Sequence, residues 1–257
     1  MVALRSADEL AARVADGALI AIGGGGLQRK PMTALRALVA AGRRELRVIS
    51  FLGSLDVELL LAADAVAELH SAGVSLDAYG LAPHYRAARE QGTVRFVEWS
   101  ERTLLCALDA AANGVPSLPT WAGLGSDLPA LNPWLAVGSD PFTGEPVMNV
   151  RALSPDVALL HVPAIDEAGY AYVDGDLVYD GALARAAAAV IVSHDGWRDP
   201  DPRGAAVSRL WIDATLHAPD GAWPTGCLPV RGVDREIVSA WASAGRDATA
   251  ALLERPA

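Results

Sequence analysis

Residues Ala18-Leu19-Ile20-Ala21-Ile22 form an unbroken apolar run, and four consecutive glycines, Gly23 to Gly26, follow it at once. A strand that is apolar at every position has no face to give to water. It belongs inside a parallel sheet covered on both sides. Pro31 then opens a helix expected to run to about Ala41, because proline needs no amide partner in a first turn. Strand, glycine turn and helix together make one half of a β-α-β unit.

The same cycle recurs. Leu46 to Phe51 reads as a strand leading into a small-residue turn at Gly53-Ser54, and Val94 to Glu98 reads as another. Ser100 is placed to cap a helix from Glu101 to Asn113, closed by Gly114. Further strands are expected at Val157–Val162, Ala189–Val192 and Trp211–Leu216, and helices at Asp180–Ala188 and Asp234–Leu253. Ser6-Ala7-Asp8-Glu9 has the spacing of a capping box for a helix reaching about Asp16, stopped by Gly17. Strands alternating with helices imply an α/β fold with a mainly parallel open sheet flanked by helices. One domain over residues 1–257 is expected. A Pro-, Gly- and Trp-rich stretch around 115–147 should form a loop-rich excursion of the kind that serves function or meets a partner.

Composition narrows the classes. Apolar residues make up 52% of the chain and charged ones 20%, which excludes a disordered protein. A net charge of −10 argues against nucleic acid, whose binding requires a basic face. The apolar runs are too short to cross a bilayer, so no membrane span is expected. The start lacks a basic segment followed by an apolar core, so no signal peptide is expected. Cys106 and Cys227 stand far apart, which disfavours both a disulfide scaffold and a cysteine-rich metal site. A reduced, cytoplasmic setting fits these features.

Two segments offer chemistry. In Gly23-Gly24-Gly25-Gly26-Leu27-Gln28-Arg29-Lys30, glycines between a strand and a helix let backbone amides approach an anion or a developing oxyanion. Arg29 and Lys30 add full charges. Arg29 stands where a dinucleotide fingerprint needs its third glycine, and no Gly-Lys-Ser/Thr follows, so neither nucleotide motif is met. A tight turn with solvated basic residues is the competing interpretation. In Glu98-Trp99-Ser100-Glu101, two carboxylates flank a strand end where open α/β sheets bind ligands. Either serves as a general base if tuned by burial; otherwise Glu101 is a first-turn acid and Glu98 a rim charge. Ser193-His194-Asp195 is contiguous, and triad members meet in space. The histidines show no metal-binding spacing, so no metal site is expected. Cys106, in an apolar helix, reads as core.

Taken in order, several segments resemble the alpha subunits of family I CoA transferases, the glutaconate type in particular. They are the glycine run with Arg29-Lys30-Pro31-Met32, Gly80-Leu81-Ala82-Pro83-His84-Tyr85-Arg86, and Glu98 to Glu101. Gly114 to Thr120, Leu124-Gly125-Ser126-Asp127, Asp140 to Glu145 and Pro155 to His161 continue the order, and His217 to Cys227 ends it. Ser193 to Trp197 replaces the family's usual run with a glutamate pair, and Trp223 stands where histidine is common.

The resemblance implies the CoA-transferase fold and a beta-type partner, in a heterodimer or an α2β2 assembly. That partner would carry the glutamate that forms a glutamyl-CoA thioester. A CoA thioester is then a substrate, and no permanently bound cofactor is implied. This chain would supply oxyanion donors from Gly23, Gly24, Gly25 and Gly26, with Arg29 and Ser54 contacting the acyl group. A sister branch, which hydrolyses cyclic β-diketone CoA thioesters in steroid-ring breakdown, resembles the chain at the same Arg29–Met32 and Glu98–Glu101 segments. There Glu101 or Glu98 would activate water. A non-catalytic ligand-binding protein on the same fold is the third alternative.

Overall fold

The computed structural model describes residues 1–201 and 203–249. Its central sheet runs, in spatial order, Val2–Leu4, Ala214–His217, Ala189–Trp197, Val157–Ile165, Leu19–Ile22, Leu46–Ser50, Val66–Ser71 and Arg95–Glu98. Every neighbouring pair in this order is parallel. Ala171–Tyr172 adds a short antiparallel strand beside Val157–Ile165.

Leu19–Ile22 is buried at all positions. Its side chains alternate between two cores, as strand geometry requires. Ile20 and Ile22 pack with Leu35, Leu38, Leu59 and Trp241; Leu19 and Ala21 pack with Leu104, Leu108 and Leu183 on the opposite face. From Leu19–Ile22 the chain steps outward through Leu46–Ser50, Val66–Ser71 and Arg95–Glu98. It then crosses back to Val157–Ile165 on the other side of Leu19–Ile22. The strand order reverses between those two strands, and ligands of open α/β sheets bind beyond the carboxyl ends at such a point. The glycine run leaves the sheet there.

Several elements differ from expectation. Leu55–Ala62 is a helix buried at seven positions, including Asp56 and Glu58, so it shows no apolar stripe to recognise. Val66–Ser71 is a strand whose apolar pattern is broken by Glu68 and His70, which bond each other at 2.7 Å. Pro83–Gln91 is a largely polar helix in which only Ala88 is buried.

The strands Val157–Ile165 and Ala189–Trp197 run past their expected ends because His161 and Ser193 lie in register and bond each other. The first helix ends at Ala11, and Glu9 accepts from the Arg5 amide instead of closing the box on Ser6. The last helix covers Arg235–Ala244 and gives way to a 3-10 turn at Gly245–Asp247; residues 250–253 of the expected helix lie outside the described residues.

The 115–147 stretch carries more regular structure than expected. Ser117–Thr120, Pro146–Arg151 and Leu135–Ser139 form an antiparallel sheet with Pro146–Arg151 at its centre. Pro119 sits on an edge strand, where a missing amide is tolerated. Among the described residues no helix is long and apolar enough to cross a membrane.

Candidate active site

The four glycines form a tight loop at the reversal of strand order. Packing explains why glycine is required. A Cβ on Gly23 would lie 2.5 Å from Leu160 Cδ2, and one on Gly24, at φ +69°, would lie 2.2 Å from the Gln28 carbonyl oxygen. The amide of Gly23 donates to Leu159 O at 2.9 Å and that of Gly24 to Asp180 Oδ1 at 2.8 Å. The amides of Gly25 and Gly26 donate to Gln28 O at 3.1 Å and Leu52 O at 2.9 Å. This corrects the expectation of oxyanion donors. All four amides are already bonded within the chain, and the loop forms a wall.

Two buried ion pairs hold that wall. Lys30 is fully buried, with Nζ 3.1 Å from Asp56 Oδ2 and further contacts to Ser50 Oγ at 3.2 Å and Gly24 O at 3.4 Å. Asp56 also accepts from the Ser50 hydroxyl at 2.6 Å and the Ser54 amide at 2.7 Å. Arg29, at φ +53°, pairs with buried Asp180 and donates to Asp176 O at 2.6 Å. The two basic residues are therefore neither solvated nor free, because each has a buried aspartate as counterion. Ser54 is buried and its hydroxyl donates to Gly26 O, so it acts on the loop and does not line the cavity.

Beside this loop lies a cavity of about 580 Å³. Gly25, Gln28 and Arg29 contribute from the loop, Phe51 and Leu52 follow a strand, and Asp176, Val178, Tyr179 and Leu228 supply further wall. Glu101 also lines it. Its helix, Glu101–Ala112, is started by a reciprocal cap in which Ser100 Oγ accepts from the Thr103 amide at 3.2 Å and Thr103 Oγ1 accepts from the Ser100 amide at 3.1 Å. The first turn of a helix favours a carboxylate there. Burial, then the charge of Glu101, raises the pKa of the Tyr179 phenol.

Glu98 is separated from this site. Its carboxylate makes an exposed ion pair with Arg89, and its carbonyl accepts from Asn132 Nδ2 at 2.8 Å. Of the two candidate bases, only Glu101 faces the cavity. Cys106 is buried, and burial raises its pKa, as suits a core thiol. Asp56 and Asp180 escaped sequence analysis because an acid inside an apolar helix, or at a helix start, has no visible partner in the chain.

The coenzyme A transferase family model matches residues 4–194. The chain is a member of the coenzyme A transferase family. Among its relatives, the cholesterol ring-cleaving hydrolase IpdA subunit of Mycobacterium tuberculosis is 31% identical over 252 residues, covering 92% of this chain and 86% of that protein. The first of the two glutaconate CoA-transferase subunits of Acidaminococcus fermentans is 24% identical over 256 residues, covering 91% and 80%. An uncharacterized protein of Archaeoglobus fulgidus is 30% identical over 233 residues, and the chain spans about half of its length (52%). The solved structure of a variant of the decarboxylase AibA/AibB superposes with a TM-score of 0.90 at 35% identity, over 98% of this chain and 97% of that one. Glutaconate CoA-transferase of A. fermentans superposes at 0.88 with 22% identity, over 96% and 84%, which establishes the CoA-transferase fold.

Proposed function

We propose that this chain is the alpha-type subunit of a heteromeric CoA transferase, which moves CoA between an acyl-CoA thioester and a carboxylic acid acceptor. The observation that carries this is the cavity at the reversal of strand order, walled by the glycine loop on its buried ion pairs and by apolar Phe51, Leu52, Val178 and Leu228. An acyl group fits such a wall. The catalytic glutamate would come from a beta-type partner, in a heterodimer or α2β2 assembly. Its carboxylate attacks the thioester carbonyl, releases CoA thiolate and leaves an acyl anhydride. The thiolate then attacks the glutamyl carbonyl and frees the acid, and the acceptor acid reverses both steps.

The antiparallel sheet suits docking of that partner, since Trp121 and Phe142 are exposed by 76% and 94% within or beside it. No permanent cofactor is required. A cytoplasmic location accords with a CoA substrate and two free cysteines.

A second reading, hydrolysis of a CoA ester, is favoured by one observation: the Glu101 carboxylate faces the cavity of this chain. There Glu101 takes the proton of an attacking water. Co-expression with the product of the adjacent reading frame, followed by mass spectrometry of an acyl-CoA with and without acetate, separates the readings. A new CoA ester that requires acetate and both chains supports transfer. Free CoA without acetate supports hydrolysis, and acyl-CoA turnover by this chain alone would contradict the partner's role.

A further inference from the structure

Behind the cavity wall, three side chains from distant parts of the chain meet. His161, Asp195 and Cys227 each present one ligand-type atom, and these atoms all lie within 4.8 Å of one another. The register of the strands brings the first two together. His161 pairs with Ser193 across neighbouring strands, and Asp195, two residues on, shares the face of Ser193. Cys227 arrives from the segment that follows Gly226, whose amide donates to Leu27 O at 2.8 Å and whose carbonyl accepts from the Arg29 amide at 2.6 Å.

The hydrogens around His161 leave a gap. Ser193 has one hydroxyl hydrogen, and it goes to Leu160 O at 3.1 Å. The 2.9 Å contact between His161 Nδ1 and Ser193 Oγ must then be donated by Nδ1–H. A neutral imidazole in that tautomer presents a bare lone pair at Nε2. It points at a carboxylate, which only accepts, and Nε2 and Asp195 Oδ2 are 3.3 Å apart. Nε2 and both Asp195 oxygens are buried and lack a hydrogen bond. The two side chains are 0% and 6% exposed. Two acceptors facing each other in a buried site call for a cation between them.

We propose that His161, Asp195 and Cys227 form a three-ligand site for a divalent transition metal, zinc in particular. Nitrogen, oxygen and sulfur donors at about 2.0–2.3 Å from a tetrahedral ion match the observed N···O separation. One carboxylate, one thiolate and one neutral imidazole cancel a double positive charge, so the buried site is neutral when filled. Sulfur disfavours magnesium and calcium.

The surroundings fit an outer shell. Ser193 fixes the tautomer of the ligand histidine. Gly221 leaves the ring its space, because a Cβ there would lie 2.8 Å from His161 Cε1. Asp195 also borders an open groove of about 460 Å³ with Gly196, Trp197 and Pro229, which gives the ion an entrance and a fourth, solvent position. Burial raises the Cys227 pKa and the Asp195 charge raises it further, so the thiol keeps its proton until a metal displaces it. Because Cys227 adjoins Leu228 of the cavity wall, the ion would tie that wall to the sheet. The ligands are more than 30 residues apart in the chain, so no spacing motif marked them.

The test is anaerobic titration of the full chain, purified without metal resin, with cobalt(II) and then zinc(II). The expected result is one equivalent of cobalt with tetrahedral d–d bands and a sulfur-to-cobalt charge-transfer band, displaced by one equivalent of zinc. Cys227→Ser, which preserves size, should abolish the charge-transfer band while circular dichroism remains unchanged. Ser193→Ala should keep the band but weaken affinity by about 10- to 100-fold. A folded wild-type chain that takes up no cobalt overturns the proposal, and so does a charge-transfer band that survives in Cys227→Ser.

Discussion

Lys30→Met should be among the costliest single substitutions beneath the glycine loop. Lys30 and Asp56 are both 0% exposed, and their charged atoms are 3.1 Å apart. Methionine fills most of the lysine's volume, so packing changes little. Charge is what changes. Asp56 retains hydrogen bonds from the Ser50 hydroxyl and the Ser54 amide but loses its counterion. Stranding one member of a buried pair costs about 3–5 kcal/mol. For a domain of this size each kcal/mol lowers the melting temperature by about 2–4 °C, so a fall of roughly 6–20 °C is expected.

The assay is urea unfolding at constant slope, with calorimetry as a second probe. Adding Asp56→Asn removes the stranded charge and keeps an acceptor for the Ser54 amide, so the double variant should recover most of the loss. The reasoning fails if Lys30→Met unfolds within about 1 kcal/mol of wild type. It fails also if the double variant is no better than the single one.

Gly24→Ala should destabilise more than Gly42→Ala in urea unfolding. Both sites have left-handed backbone, at +69° and +68°, but only at Gly24 does the new Cβ meet an atom, at 2.2 Å. The Gly42 cost should stay at about 1–2 kcal/mol. Glu101→Gln should leave the melting temperature unchanged, since the residue is exposed, while turnover by the two-chain enzyme falls about 10²–10⁴-fold if Glu101 is the base. Unimpaired turnover removes it from that role.

Burial holds the His70 pKa below its ordinary value near 6.5, against the opposing bond to Glu68. The unfolded chain therefore takes up this proton first. Stability from this site is complete above about pH 6.5 and declines below it, by at most about 1.4 kcal/mol per pH unit. His70→Gln should flatten the decline in urea midpoint between pH 7 and 5; an unchanged slope refutes this origin.

The parts of the fold legible in the sequence are those where burial writes a simple pattern. Leu19–Ile22 is apolar throughout because both sheet faces are covered, and the glycines announce the turn that follows. Ser100 announces its helix because a cap is a local interaction. Leu55–Ala62 was illegible for the opposite reason: buried on all sides and carrying Asp56, it shows no face and no visible partner. At the site, Glu101 was visible as a first-turn acid, yet nothing local distinguished it from Glu98, whose fate depends on Arg89. Arg29 and Lys30 looked solvated because their counterions, Asp180 and Asp56, come from other elements.

The most direct test of the cavity as the place where a thioester is handled is acyl-CoA protection of a thiol placed within it. The two native cysteines are buried, so in Glu101→Cys the introduced thiol is the exposed target on this chain. Peptide-level mass spectrometry would follow alkylation at position 101 in the two-chain enzyme. With acyl-CoA at ten times its dissociation constant, labelling should slow about tenfold, following the bound fraction. Labelling at the same rate with and without saturating acyl-CoA would place the thioester elsewhere.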